Sequence, residues 1–195
     1  MEGDLTFHTY AYLLHASNSL FLIAKEHAPG SNHARISAVL FSAFAIEAYL
    51  NHIGNLKVEN WQKLDRLNWR DKMKIIGEKV GVQVDYGKPP FQAVVLIFQF
   101  RDRLAHGRTH QEHVSYKFNY VDRQETGHLD PDWLRKYWDD MSVERTLQNV
   151  RQIIEKIQAA AGFSLLDLEM VSSGSFSESV DARRIINISS NSSAK

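Results

Sequence analysis

The residues best suited to chemistry in this sequence stand together at Arg101-Asp102-Arg103-Leu104-Ala105-His106-Gly107, where a long apolar run ends in a guanidinium, a carboxylate and an imidazole. On a helix, Asp102 and His106 share a face four residues apart, which places the carboxylate to accept a hydrogen bond from the imidazole and fix its tautomer. Arg101 lies about 140° round the helix from His106, so the two converge only if the guanidinium bends back or a second copy of the chain faces the first. Such a set suits attack of a ribose 2′-hydroxyl on the adjacent phosphorus. His106 would move the proton, and Arg101 would hold the non-bridging phosphate oxygens in its planar fork. The spacing alone is cheap, because Arg108 with His113 and Arg123 with His128 repeat it among twelve arginines and nine histidines. Only the 101–106 pair closes an apolar helix and is followed by a glycine able to free the imidazole edge.

Glu47 is the only formal charge between Ile36 and Asn51. A carboxylate carried into an apolar helix must find a cation or several donors, and Arg101 and Arg103 are the expected partners, with Asn51 one turn on. The competing reading lets Glu47 reach the bundle surface or bond a neighbouring backbone. His106, His110 and His113, with Glu112 nearby, could set three imidazoles on one helical face for a metal, but Gly107 is expected to end the helix first, so no metal site is expected. Trp133, Tyr137 and Trp138 could stack on bases. Their helical spacing favours a core role.

The elements that would position these groups follow from periodicity. Helices are expected over 5–28, ending at Pro29-Gly30, and from a cap at Ser31 or Asn32 to about Leu56, the second belonging in the centre of a bundle. Two short amphipathic helices, 58–67 and 68–80, come next, the latter capped by Asn68 and stopped near Gly81, as a lid or side layer. Pro89-Pro90 sets up a helix from Phe91 to His106 with Gly107 as its stop. Alternation of Val114, Tyr116, Phe118 and Tyr120 suits a short strand or hairpin arm at about 112–122. Asp130-Pro131 starts a short helix, and Ser142 opens a last one that Gly162 ends. The domain is expected to span 1–162, followed by a serine-rich, partly ordered tail over 163–195 in which 185–188 could pair with the 114–120 strand.

The run Arg101-Asp102-Arg103-Leu104-Ala105-His106-Gly107 resembles the signature of the HEPN superfamily: an arginine, a polar residue, then a short gap to histidine. Phe44-Ala45-Ile46-Glu47-Ala48-Tyr49-Leu50-Asn51 is similar to that family's earlier helix with an acidic residue inside an apolar run. The resemblance covers about residues 5–160 and implies an all-helical bundle. It implies, further, a dimeric, metal-independent ribonuclease, often a toxin or anti-phage effector, with Arg101, Asp102, His106 and Glu47 in the catalytic site and no cofactor. Arg103, Arg108 and Asn51 would then contact RNA, which would leave with 2′,3′-cyclic phosphate and 5′-hydroxyl ends. Some members have lost catalysis, so a silent module binding a nucleotide or protein partner is the alternative.

Composition bounds these readings. Basic and acidic residues number 23 each, which removes a global cationic field and speaks against a sequence-indifferent nucleic-acid coat. A local site is still open to Arg101, Arg103, Arg108 and their histidines, doubled in a dimer. The absence of cysteine makes a reducing compartment the simpler expectation, the start Met1-Glu2-Gly3-Asp4 lacks a signal-peptide pattern, and Ser42 and Glu47 interrupt the longest apolar run. The expected setting is the cytoplasm with no membrane span, and the expected partners are RNA, a second copy of the chain and a cognate antitoxin or other defence protein.

Overall fold

The computed structural model describes residues 2–26, 29–109, 111, 131–137 and 139–177. Within them the chain is mainly helical: α1 (Thr9–Ala24), α2 (Ser31–Lys57), α3 (Trp69–Val80), α4 (Phe91–Ala105), α5 (Asp132–Arg135) and α6 (Asp140–Ala160), with strands β1 (Glu2–Phe7) and β2 (Ser172–Ser177). The central place expected for α2 is what the structure has, since it packs against α1, α3, α4 and α6. Its Ala38, Val39, Ala43, Ile46, Tyr49, Leu50 and Ile53 are buried, which is how one helix can be apolar nearly all round. By length and composition α2 is apolar enough to cross a membrane, and half of the qualifying stretch is buried inside the bundle.

Local chemistry sets the element ends. The Asn68 carboxamide accepts from Arg70 N and Asp71 N and caps α3, and Gly81, at φ 77°, takes the left-handed conformation that ends it. Gly54 lets α2 close on the Trp61 indole, which would lie 2.2 Å from an added Cβ. The cap of α2 differs from expectation: Gly30, at φ 92°, occupies that position without a side-chain bond. Asn32 is turned instead to Arg35, whose guanidinium also reaches Asp140 Oδ1 at 2.8 Å and the Ala24 carbonyl, joining the start of α2 to α1 and α6. For α6 the cap is Asp139, accepting from Ser142 N, so Ser142 lies inside the first turn rather than opening the helix. The hydrogen bonds from Ser142 hold the Asp139 carboxyl below its usual range.

Two expectations fail, and part of the segment expected as a partly ordered tail is ordered. The segment 58–67 forms only a 3₁₀ turn, Trp61–Lys63, because it supplies one buried anchor, Trp61, and no continuing apolar stripe. The first helix begins at Thr9 rather than Leu5, since residues 2–7 are extended and pair antiparallel with 172–177, Phe7 opposite Ser172. The serine-rich segment read as a tail is that second strand, and the packing continues past 162: Leu168 is buried, and Phe163 and Val171 lie against the core. The hairpin arm expected at 112–122 and the 185–188 patch fall outside the described residues.

The strand pair meets the bundle at a ring cluster. His8, whose backbone N–H donates to Val171 O, sets its ring edge-on to His52 of α2 at 5.4 Å; His52 lies 4.8 Å from Tyr10, and Tyr10 lies 5.3 Å from Tyr49. Burial, and then the neighbouring His8, lower the His52 pKa below its ordinary 6.5. The unfolded chain therefore takes the proton first, and the stability from neutral His52 is complete above 6.5 and is lost as pH falls through the lowered folded value. Thermal denaturation at about pH 7.5 and about pH 5.5 should show a larger drop in midpoint for the wild type than for His52→Gln. Equal drops would remove His52 from the account.

Candidate functional site

The site is assembled where α2, α3 and α4 meet. The C-terminal half of α4 is directed by Phe98 and Phe100, both buried, which turn Arg101 towards α2. There Arg101 Nη2 donates to Glu47 Oε2 at 2.6 Å, and Nη1 donates to Asp102 Oδ1 at 2.8 Å. The other Glu47 oxygen, Oε1, lies 3.9 Å from Lys72 Nζ of α3. The guanidinium also sits 5.3 Å from the Phe98 ring, which itself stacks on Trp69 at 4.5 Å. Glu47 is thus one carboxylate between two cations from two different helices.

Exposure ranks the members: side-chain values are 3% for Lys72, 23% for Arg101, 30% for Glu47 and 51% for Asp102. Glu47 is half-buried, less enclosed than expected, yet it meets the expected Arg101. Arg103, the other expected partner, faces away, with its guanidinium 5.7 Å from the Trp133 ring. With Lys136 and Tyr137, it lines a small cleft of about 160 Å³ on the outer side of α4. Asn51 Oδ1 is buried without a hydrogen bond among the described residues. Arg101 Nε is likewise buried and unbonded.

Sequence reasoning did not name Lys72. Its signal was there, since Lys72 falls on the i, i+3, i+4 stripe of Trp69, Met73 and Ile76, where a lysine must either be out of place or have a carboxylate waiting.

The hydrogen bond expected between His106 and Asp102 is absent, and the Asp102 carboxylate is bonded to Arg101 instead. The cause is the helix end. Helix α4 stops at Ala105, and His106 is its C-cap residue with φ −119° and ψ 18°, so its side chain leaves the i, i+4 face on which the pairing depends. Its backbone N–H still donates to Asp102 O at 2.9 Å, while the imidazole is exposed. Arg108 is exposed just beyond. His110, Glu112, His113, His128 and Trp138 lie outside the described residues, whereas Tyr137 is buried beside Phe100 and fits the core reading. A cleft of about 390 Å³, lined by Leu14, Phe21, Leu147 and Arg151, contains none of the candidate residues.

The arrangement can hold a planar cation rigidly at the mouth of the bundle and present an imidazole one turn away. Comparison with protein-family models, curated proteins and solved structures returns no match for this chain.

Removing the Glu47 carboxylate leaves the enclosed Lys72 ammonium and one Arg101 nitrogen without their partner. Glu47→Ala should therefore cost about 3 kcal/mol in urea denaturation, the lower end of the range for a broken buried pair, because Glu47 is partly wet. Asp102→Ala should cost about 1 kcal/mol or less, as exposed pairs do. Adding Lys72→Met to Glu47→Ala should recover part of the loss, and no recovery would mean that Lys72 does not depend on Glu47.

Proposed function

We propose that the protein is a metal-independent endoribonuclease of HEPN type, working as a homodimer in the cytoplasm and acting as a toxin or anti-phage effector. The observation that carries this reading is the exposed imidazole of His106 at the end of α4, one turn beyond an Arg101 fixed in place by Glu47 of the central helix. An imidazole tied into the core would have favoured a structural role. An exposed one can reach a ribose hydroxyl.

In this reading the 2′-hydroxyl of an RNA attacks the neighbouring phosphorus in line. His106 takes or supplies the proton, a role typically worth roughly 10² to 10⁴ in rate. Arg101 meets the charge that gathers on the non-bridging oxygens, and its rigidity matters because a donor already in position needs no reorganisation during the reaction. Arg103 and Arg108, both exposed, would meet neighbouring phosphates. The dimer would join the α4 ends: Leu96 and Leu104 leave apolar surface exposed there, and a two-fold copy would bring a second Arg101 and His106 towards the first.

One observation favours the rival, a silent module that binds a nucleotide or protein partner. Both terminal nitrogens of Arg101 are engaged by carboxylates, as a purely structural arginine's would be.

The separating experiment is incubation of the purified protein with mixed RNA in EDTA. Cleavage should persist there and vanish in His106→Ala and in Arg101→Ala, with folding intact, while His110→Ala, His113→Ala and His128→Ala stay active. A need for divalent metal, or cleavage without His106, would end the ribonuclease reading. Sedimentation at micromolar concentration should show a dimer, and a monomer would count against the paired α4 ends.

A further inference from the structure

The two carboxylates on Arg101 are not equivalent. Glu47 comes from another helix, bonds Nη2 at 2.6 Å and has Lys72 behind it. Asp102 is the next residue along the same helix, where neighbouring side chains point about 100° apart, so its bond to Nη1 depends on both side chains bending towards each other. Asp102 is also the more exposed of the two, and it sits in the last turn of α4, where the carbonyl ends of the helix disfavour a negative charge. Nothing in the helix calls for a carboxylate at this position.

The local charge makes the same distinction. Lys72, Arg101, Glu47 and Asp102 together sum to zero, whereas Lys72, Arg101 and Glu47 without Asp102 carry one net positive charge. With Glu47 alone as counter-ion, Arg101 would be neutralised whether or not Asp102 were present. The enclosed Lys72 ammonium supplies the charge that makes a second anion welcome, and Asp102 is the anion now in that place.

We infer that Asp102 is a displaceable counter-ion that occupies the seat of the substrate phosphate on Arg101 Nη1, while Glu47, backed by Lys72, is the permanent one. The inference rests on the phosphodiester-cutting reading for its substrate and gives Asp102 a role opposite to orienting His106. A phosphate oxygen takes the donor that the Asp102 oxygen gives up, and the freed carboxylate swings into water. Asp102 then sets affinity by competition, and the competition is for Arg101 alone.

The test uses the full chain and a 2′-O-methyl oligoribonucleotide, which lacks the attacking hydroxyl, so binding is read apart from cleavage. Asp102→Asn and Asp102→Ala should each tighten binding by at least about threefold at low salt, with the gain shrinking as added salt screens the site. Glu78→Gln on the exposed side of α3 removes the same charge elsewhere and should give a smaller gain. In an Arg101→Lys background the gain from Asp102→Asn should vanish, since the competed donor geometry is gone. Unaltered or weaker binding in the Asp102 variants, a gain no larger than that of Glu78→Gln, a gain that survives Arg101→Lys, or no binding by any of these proteins would overturn the inference. If Asp102 instead orients His106, kcat falls while oligonucleotide affinity is unaltered, which overturns it as well. Failure of the wild type to cleave unmodified RNA speaks against the ribonuclease reading and leaves the binding result to decide this one.

Discussion

Glu47 carries a carboxylate into a stretch of α2 whose neighbours in sequence are Ala45, Ile46, Ala48 and Tyr49, and the helices around it answer to that charge. Helix α3 brings Lys72 to one oxygen and α4 brings Arg101 to the other. Lys72 lies on the buried stripe of α3, and Arg101 ends the buried stripe of α4. A charged group taken out of water without a partner costs several kcal/mol, so the register of α3 and of α4 against α2 is tied to this one contact. The Arg35–Asp140 bond does the corresponding work at the other end of α2, fixing it to α6. Three ion pairs at two points, Glu47 and Arg35, thus pin a central helix whose apolar surface alone would allow sliding, because Ala, Val, Ile and Leu can interdigitate in more than one register.

The helices were legible because a helix that packs on a core repeats its apolar residues with the helical period, as α1, α3, α4 and α6 do, whereas α2 was legible as a long run apolar nearly all round. So was a contact between Glu47 and the end of α4, since a lone acid in an apolar run and the arginines that end another have few other places to go, although the sequence left Arg101 and Arg103 both open. Lys72 was hidden by the habit of assigning lysine to the wet face of an amphipathic helix, although its place on the Trp69–Met73–Ile76 stripe told otherwise. The β1–β2 pair was hidden for a different reason. Ser172, Ser173, Gly174 and Ser175 show no apolar alternation, and their pairing is made by backbone groups with residues about 170 positions earlier. Side-chain pattern carries no record of such a partner. The 58–67 segment shows the reverse error, where scattered apolar residues such as Val58, Leu64 and Leu67 imitated a period that one tryptophan satisfies.

The end of α4 shows how far a single residue of helix boundary reaches into the chemistry. The i, i+4 rule holds between residues that both have helical backbone, and it would have bound the His106 imidazole to Asp102 had the helix run one residue further. With His106 as the C-cap residue, the imidazole is released to solvent and Asp102 turns to Arg101. The same six residues therefore yield a pre-formed cation held from inside the bundle and an uncommitted imidazole outside it. For proton transfer to an incoming hydroxyl the second arrangement is the more useful, because a ring nitrogen already bonded to a neighbour is not available to the substrate.

Charge placement also bears on how a chain with 23 basic and 23 acidic residues could hold a polyanion. A field built from exposed side chains such as Arg103 and Arg108 is screened within about 10 Å at ordinary ionic strength. A cation enclosed by protein is screened much less, and Lys72 is almost wholly enclosed. Placed behind Glu47, it offsets that carboxylate from within, so Arg101 is held without being spent. In the proposed reading, such a site would draw its attraction for a phosphate from a few groups of low exposure rather than from the whole surface. It would be local, geometrically strict and only weakly dependent on net charge, which is what separates recognition at one phosphate from adhesion along a strand.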